Sequence, residues 1–173
     1  MDLKNAIRSI PNFPKPGIVF RDISTLLSNP EAFKQSLDEF EKYFRARNIN
    51  RIAAIDARGF LFGGALADRM NIPLCVIRKK GKLPFDTVSA SYELEYGTDT
   101  LEMHKDAIFP GDKVAVIDDL LATGGTLEAS CRMVEELGGE VTTIGVVIEL
   151  SFLNGRSKLS KFDICALVDY ESE

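Results

Sequence analysis

The stretch V-A-V-I-D-D-L-L-A-T-G-G-T, residues 114–126, sets the fold and raises the first question of function. A β-branched apolar run ends on two adjacent carboxylates, and two glycines flanked by threonines follow at once. Residues 113–118 read as a buried strand and 124–137 as a helix, with a tight turn between them. A helix N-terminus carries unpaired N–H groups and partial positive charge, so it attracts phosphate. Gly124 and Gly125 let the backbone approach an anion closely, and Thr123 and Thr126 add hydroxyl donors. The loop lacks the lysine of G-x-x-x-x-G-K-[ST] and is not G-x-G-x-x-G, which suits a monophosphate seated on Ala122, Thr123, Gly124, Gly125 and Thr126. Asp118 and Asp119 repel phosphate. They suit hydrogen-bond donors such as ribose hydroxyls, or a magnesium ion. The stretch therefore points to a sugar phosphate; the plainer alternative is a strand-to-helix turn with an acidic cap.

Outward from this stretch the chain alternates. Residues 51–56, 73–78, 140–149 and 162–169 read as strands and 59–70 as a helix. Phe33, Leu37, Phe40 and Phe44 share one face of a helix that Asn29 caps and Pro30 opens. Strand-helix alternation with β-branched runs means an α/β fold with a central, mainly parallel sheet flanked by helices. Residues 2–9 suit a short amphipathic helix. The prolines of 11–17 exclude regular structure there, and 18–23 reads as a strand. Residues 87–96 and 100–105 flank Gly97-Thr98-Asp99 as an antiparallel hairpin. Ligands of open parallel sheets bind beyond the carboxyl ends of the strands. Those ends are Asp56 to Gly59, Arg78 to Lys82, and Asp118 to Thr126.

Composition bounds the rest. The 173 residues, 45% hydrophobic and 27% charged, suit one globular domain spanning 1–173. A net charge of −5 argues against a nucleic-acid partner. No apolar run approaches the roughly 20 residues of a membrane span, and the N-terminus does not read as a secretory signal. Cys75, Cys131 and Cys165 are odd in number and far apart, which suits buried, reduced thiols in a cytoplasmic protein.

V-I-D-D-L-L-A-T-G-G-T resembles the phosphoribosyl pyrophosphate (PRPP) motif of type I phosphoribosyltransferases, in its adenine-specific form. F-P-K-P-G-I-V-F-R-D-I-S (13–24), A-R-G-F-L-F-G (57–63), I-R-K-K-G-K-L-P (77–84) and S-Y-E-L-E-Y-G-T-D-T-L-E-M-H-K-D-A-I (91–108) are similar to segments of the same family in the same order. The resemblance covers nearly the whole chain.

The resemblance implies the type I phosphoribosyltransferase fold. An N-terminal hood takes in about residues 1–30, a core about 31–173, and a mobile-loop hairpin about 80–105. It implies magnesium-dependent conversion of adenine and PRPP to AMP and pyrophosphate, a purine-salvage step, by a cytoplasmic homodimer. In this reading Arg58, Lys79 and Lys82 meet pyrophosphate, and an unusual peptide bond sits at Ala57-Arg58. Val19, Phe20, Arg21 and Leu120 meet adenine. Asp118 and Asp119 meet the ribose, and magnesium is held mainly by PRPP and water with these two carboxylates nearby. Glu95, Tyr96 and Arg58 carry catalysis. His104 is read as structural. Two alternatives stay open: a phosphoribosyltransferase for another purine base, and a non-catalytic PRPP-sensing regulator.

Overall fold

The structure is a computed structural model and describes residues 1–94 and 96–173. A 3-10 turn at Leu3–Ala6 leads into β1 (Arg8–Pro11), which pairs antiparallel with β2 (Val19–Asp22). A single helical turn, α1 (Ser24–Leu27), precedes the long α2 (Pro30–Arg45). Then come β3 (Arg51–Ile55), α3 (Gly59–Met70), β4 (Leu74–Lys79), β5 (Thr87–Glu93), β6 (Thr98–His104), β7 (Lys113–Leu121) and α4 (Gly125–Glu136). After β8 (Glu140–Leu150), two 3-10 turns at Ser151–Leu153 and Gly155–Leu159 lead to β9 (Ile164–Tyr170).

Among the described residues β3 to β9 form a seven-stranded sheet in the order β5-β6-β4-β3-β7-β8-β9. The pairs β4-β3, β3-β7, β7-β8 and β8-β9 are parallel, while β6 joins β4 and β5 joins β6 antiparallel. Alternate side chains of a strand point to opposite faces, so each central strand feeds two cores. Ile52, Ala54, Ala115 and Ile117 pack with Phe40 and Phe44 of α2 and Phe62 of α3. Ala53, Ile55, Val114 and Val116 pack with Leu127, Cys131 and Val134 of α4. Phe40, Phe44 and Phe62 are fully buried, each contributing about 2 kcal/mol of apolar burial. The expected cap holds: the Asn29 side chain accepts from the N–H groups of Glu31 and Ala32, with Pro30 at the first helical position.

Local expectations change in several places, and one is that β1 takes in Pro11, the first residue of the stretch expected to be irregular, at the edge of a two-stranded pair where its missing N–H is tolerated. Residues 2–9 are not one helix; only Leu3–Ala6 turns, and Arg8–Pro11 is extended against β2. So short a helix is marginal in water, and strand pairing plus the fork of Arg8 Nε and Nη2 on Asp22 outcompete it. Strand β7 does not stop at Asp118. It continues to Leu121, because Leu120 and Leu121 keep register with Ile148 and Glu149 of β8. The hairpin turns earlier than 97–99: Glu93 pairs with Thr98, and the Leu94 N–H donates to the Gly97 carbonyl at 2.9 Å. Cys75 and Cys131 are buried as expected, whereas Cys165 is half-buried. Burial pushes both the Cys75 and Cys131 thiols up to about 12. No helix among the described residues is long and apolar enough to cross a membrane.

Candidate active site

The carboxyl end of β7 and the start of α4 open onto a cleft of about 200 Å³. Its walls are Arg58, Asp118, Asp119, Leu120 and the run from Ala122 to Leu127. Gly124 caps α4 at φ 86°, in the left-handed region that favours glycine. A Cβ there would also lie 2.7 Å from the Gly155 carbonyl oxygen, so the loop is backed by the segment after β8. A Cβ on Gly125 would meet nothing closer than the Tyr92 ring at 3.4 Å.

Close packing also explains how Arg58 arrives. A Cβ on Gly59 would sit 2.8 Å from the Ile117 carbonyl oxygen, so the first residue of α3 lies directly on β7. Arg58, the residue before it, thereby reaches the end of that strand. Its Nε donates to Asp119 Oδ2 at 2.5 Å. The Asp56-Ala57 peptide bond is cis, one bond before the Ala57-Arg58 position expected to be unusual.

The two aspartates differ. Asp119 is 8% exposed and ion-paired with Arg58. Asp118 Oδ1 accepts the Asp119 N–H at 2.8 Å. Desolvation raises the Asp118 carboxyl well above its ordinary value, and the Asp119 charge pushes the same way. At Arg58, burial opposes the charged form, but the Asp119 hydrogen bond and the charges of Asp119 and Asp118 outweigh it and the guanidinium rises. The cleft thus holds concentrated negative charge beside one cation and a helix N-terminus. That arrangement can take a ligand with hydroxyls at one end and phosphate at the other.

Nine candidate residues line this cleft together: Arg58, Asp118, Asp119, Leu120, Ala122, Thr123, Gly124, Gly125 and Thr126. Lys79, Lys82, Val19, Phe20, Arg21 and Tyr96 do not. Lys79, at the end of β4, places Nζ 2.7 Å from Asp99 Oδ2 of β6, and this hydrogen bond and charge raise its pKa. The Lys82 N–H donates to the Lys79 carbonyl in the turn that follows. On β2, the Val19 N–H donates to Glu173 Oε2 at 2.7 Å. The Phe20 ring meets Phe13 edge-on at 5.3 Å. The Arg21 guanidinium lies over the Tyr170 ring at 4.0 Å and donates to Ser9 Oγ. Tyr96 is 85% exposed near the hairpin turn, and Glu95 lies outside the described residues. His104 accepts the Phe85 N–H and meets its ring edge-on, a structural part.

Sequence reasoning passed over Leu127, which lines the cleft, and Gly155, which backs it. Gly155 had one signal, the Asn154-Gly155 turn dipeptide.

Residues 22–166 match the phosphoribosyl transferase domain. An adenine phosphoribosyltransferase of Clostridium acetobutylicum is 52% identical over 170 residues, covering 98% of this chain and 99% of that protein. The chain belongs to the adenine phosphoribosyltransferase family. Among solved structures of this family, the Thermoanaerobacter pseudethanolicus protein superposes with a TM-score of 0.93 at 50% identity, covering 97% of this chain and 98% of that one. The Saccharomyces cerevisiae adenine phosphoribosyltransferase superposes with a TM-score of 0.92 at 39% identity, covering 96% of each chain. That structure is a complex with adenine and an imino-altritol bisphosphate. The type I phosphoribosyltransferase fold expected from sequence is the observed one: a mostly parallel seven-stranded sheet flanked by helices.

Proposed function

We propose that this chain converts adenine and PRPP to AMP and pyrophosphate. The observation that carries the reading is the convergence of Arg58, Asp118, Asp119 and the Ala122–Thr126 loop on one cleft at the carboxyl end of β7. The loop and the α4 N-terminus hold the 5′-phosphate, and the paired aspartates accept from the ribose hydroxyls. Arg58, with Lys79 and Lys82 brought in from the β4 end, neutralises the leaving pyrophosphate. Leu120 packs on the base from the cleft side, while Phe20 stacks on it and the backbone of Val19 and Arg21 reads its edge.

In the reaction, N9 of adenine forms a bond to C1 of the ribose as the bond from C1 to the pyrophosphate oxygen breaks. Positive charge grows on the sugar in the transition state. Asp118 and Asp119 offset it from a fixed, partly dry position. The N9 proton passes to a base, the role given to Glu95 with Tyr96 beside it. The hairpin carrying them excludes water when it closes over the cleft.

Magnesium fits as a shared ion. No group of three or more His, Cys, Asp or Glu side chains among the described residues could hold a metal alone. Two carboxylates beside a phosphate cradle suit an ion held chiefly by PRPP and water. Bound there, it would neutralise charge on the pyrophosphate. We place the protein in the cytoplasm as a homodimer, with residues 1–30 as hood and 31–173 as core.

The experiment is direct. The protein is incubated with PRPP, magnesium and each purine base in turn, and nucleotide and pyrophosphate are measured. AMP formed from adenine in preference to other bases is the expected result. No AMP from adenine at any magnesium concentration overturns the proposal.

A further inference from the structure

The phosphate loop has a backing that its own sequence does not announce. Gly155 is buried against it: a Cβ there would run into the Ala122 carbonyl oxygen and lie 2.8 Å from Leu121 Cδ1. In return, the Gly155 carbonyl stands where a Gly124 side chain would begin, 2.7 Å away. The loop is therefore in backbone contact with the 155–159 turn on both sides of Thr123. Such contacts are stiff, since neither partner has a side chain that can swing aside.

One interaction fixes that turn. Arg156, the next residue, puts Nε and Nη2 on the two oxygens of Glu149, both at 2.7 Å. Glu149 is 5% exposed and lies on β8, in register with Leu121, the last residue of β7 before the loop. The fork thus ties the backing turn to the strand beside the one that carries the loop. Leu159, fully buried with Leu121 and Leu127, holds the far end of the turn.

We propose that the Arg156–Glu149 fork is a clamp that sets the shape of the phosphate cradle, making Arg156 a positioning residue for the phosphate end of PRPP. The proposal rests on the reading of Ala122–Thr126 as the phosphate site. Arg156 touches no substrate; it acts through Gly155 on the backbone of Ala122 and Gly124. Lysine cannot replace it, because a point ammonium does not span both carboxylate oxygens.

The test compares Arg156→Lys, Glu149→Gln and the double variant Arg156→Gln/Glu149→Gln with the wild type. The double variant leaves no lone buried carboxylate, so it is read in place of any single variant that unfolds. Steady-state kinetics are run with either substrate varied, AMP binding is measured by calorimetry, and thermal unfolding confirms the fold. A misplaced cradle should raise the PRPP KM and the AMP Kd by about tenfold or more. The adenine KM should stay within about twofold of wild type. A merely structural clamp would lower the unfolding midpoint and leave that split absent. Folded variants with wild-type PRPP KM and AMP Kd overturn the clamp. A wild type that binds neither PRPP nor AMP overturns the phosphate reading itself.

Discussion

Arg58 Nε donates to Asp119 Oδ2, joining the residue before α3 to the end of β7 across 61 positions of sequence. Under the proposed function the two groups meet adjoining parts of PRPP, the guanidinium the pyrophosphate and the carboxylate the ribose. Asp119 is buried and Asp118 is its neighbour; the Arg58 charge favours the ionised Asp118, but desolvation and the Asp119 charge outweigh it.

Arg58→Gln should therefore lose more than an anion contact. A hydrogen bond to a charged group is worth about 1.5–3 kcal/mol, or roughly tenfold to a hundredfold in kcat/KM. Asp119 would in addition be left unpaired. Arg58→Lys should recover little, because it keeps the charge but has no Nε–H to place on Asp119 Oδ2. Steady-state rates of AMP formation check this, and a lysine variant within about twofold of wild type would contradict it.

Asp118 should make stability depend on pH. Its carboxyl is raised in the folded protein, by desolvation first and the Asp119 charge second. The folded state then binds more protons than the unfolded one between the ordinary carboxylate value and the raised one. The contribution is complete below the unfolded value of 3.8 and is lost as pH rises through the folded one. Asp118→Asn should flatten this loss and raise the unfolding midpoint near neutral pH. Each ~1 kcal/mol recovered moves the midpoint by about 2–4 °C in a chain of this size. Midpoints of variant and wild type that run parallel across pH 4–8 would count against it.

The sequence made the strand-to-helix junction at 114–126 legible because two periods meet there around a glycine pair, and the structure puts nine candidate residues on that one cleft. The helix bounds of 59–70 were readable for the same reason: apolar periodicity is local information. What stayed hidden was set by partners distant in sequence. β7 runs on through two aspartates because β8 pairs with it to Glu149, which no propensity encodes. Lys79 reads as a free basic residue until Asp99 of β6 is found 2.7 Å away. The Asn154-Gly155 dipeptide signals a turn, but that this turn backs the loop is not legible, because it is a backbone contact between segments about 30 residues apart.

The loop's two glycines should not respond alike. Gly124→Ala places a Cβ at positive φ and 2.7 Å from the Gly155 carbonyl oxygen. Left-handed backbone alone costs a non-glycine residue about 1–2 kcal/mol, and the contact adds to it. Gly125→Ala meets only ordinary contact with Tyr92 at 3.4 Å. Denaturant unfolding should show the loss at 124 and little at 125, and AMP affinity should fall more for Gly124→Ala. Equal effects at the two positions would mean that backing by Gly155 is not what shapes the cradle.

Arg21 should report on the base end of the site. Its side chain does not line the phosphate cleft; it lies over the buried Tyr170 ring at 4.0 Å and donates to Ser9 Oγ and to the Ser172 carbonyl. These contacts tie β2 to the end of β9 and to β1. A cation over an aromatic face contributes about 0.5–2 kcal/mol, more when desolvated. Arg21→Ala should free β2 to shift while leaving the β7-α4 junction untouched. If the backbone of β2 reads adenine, the adenine KM rises by about tenfold and the PRPP KM stays within about twofold. Tyr170→Leu, which removes the aromatic face and keeps an apolar side chain, should move the same constant in the same direction. This is the opposite split from the one expected at Arg156, so the adenine and PRPP sites can be separated in one set of kinetics. An adenine KM unchanged in both folded variants would show that this anchoring of β2 has no part in holding the base.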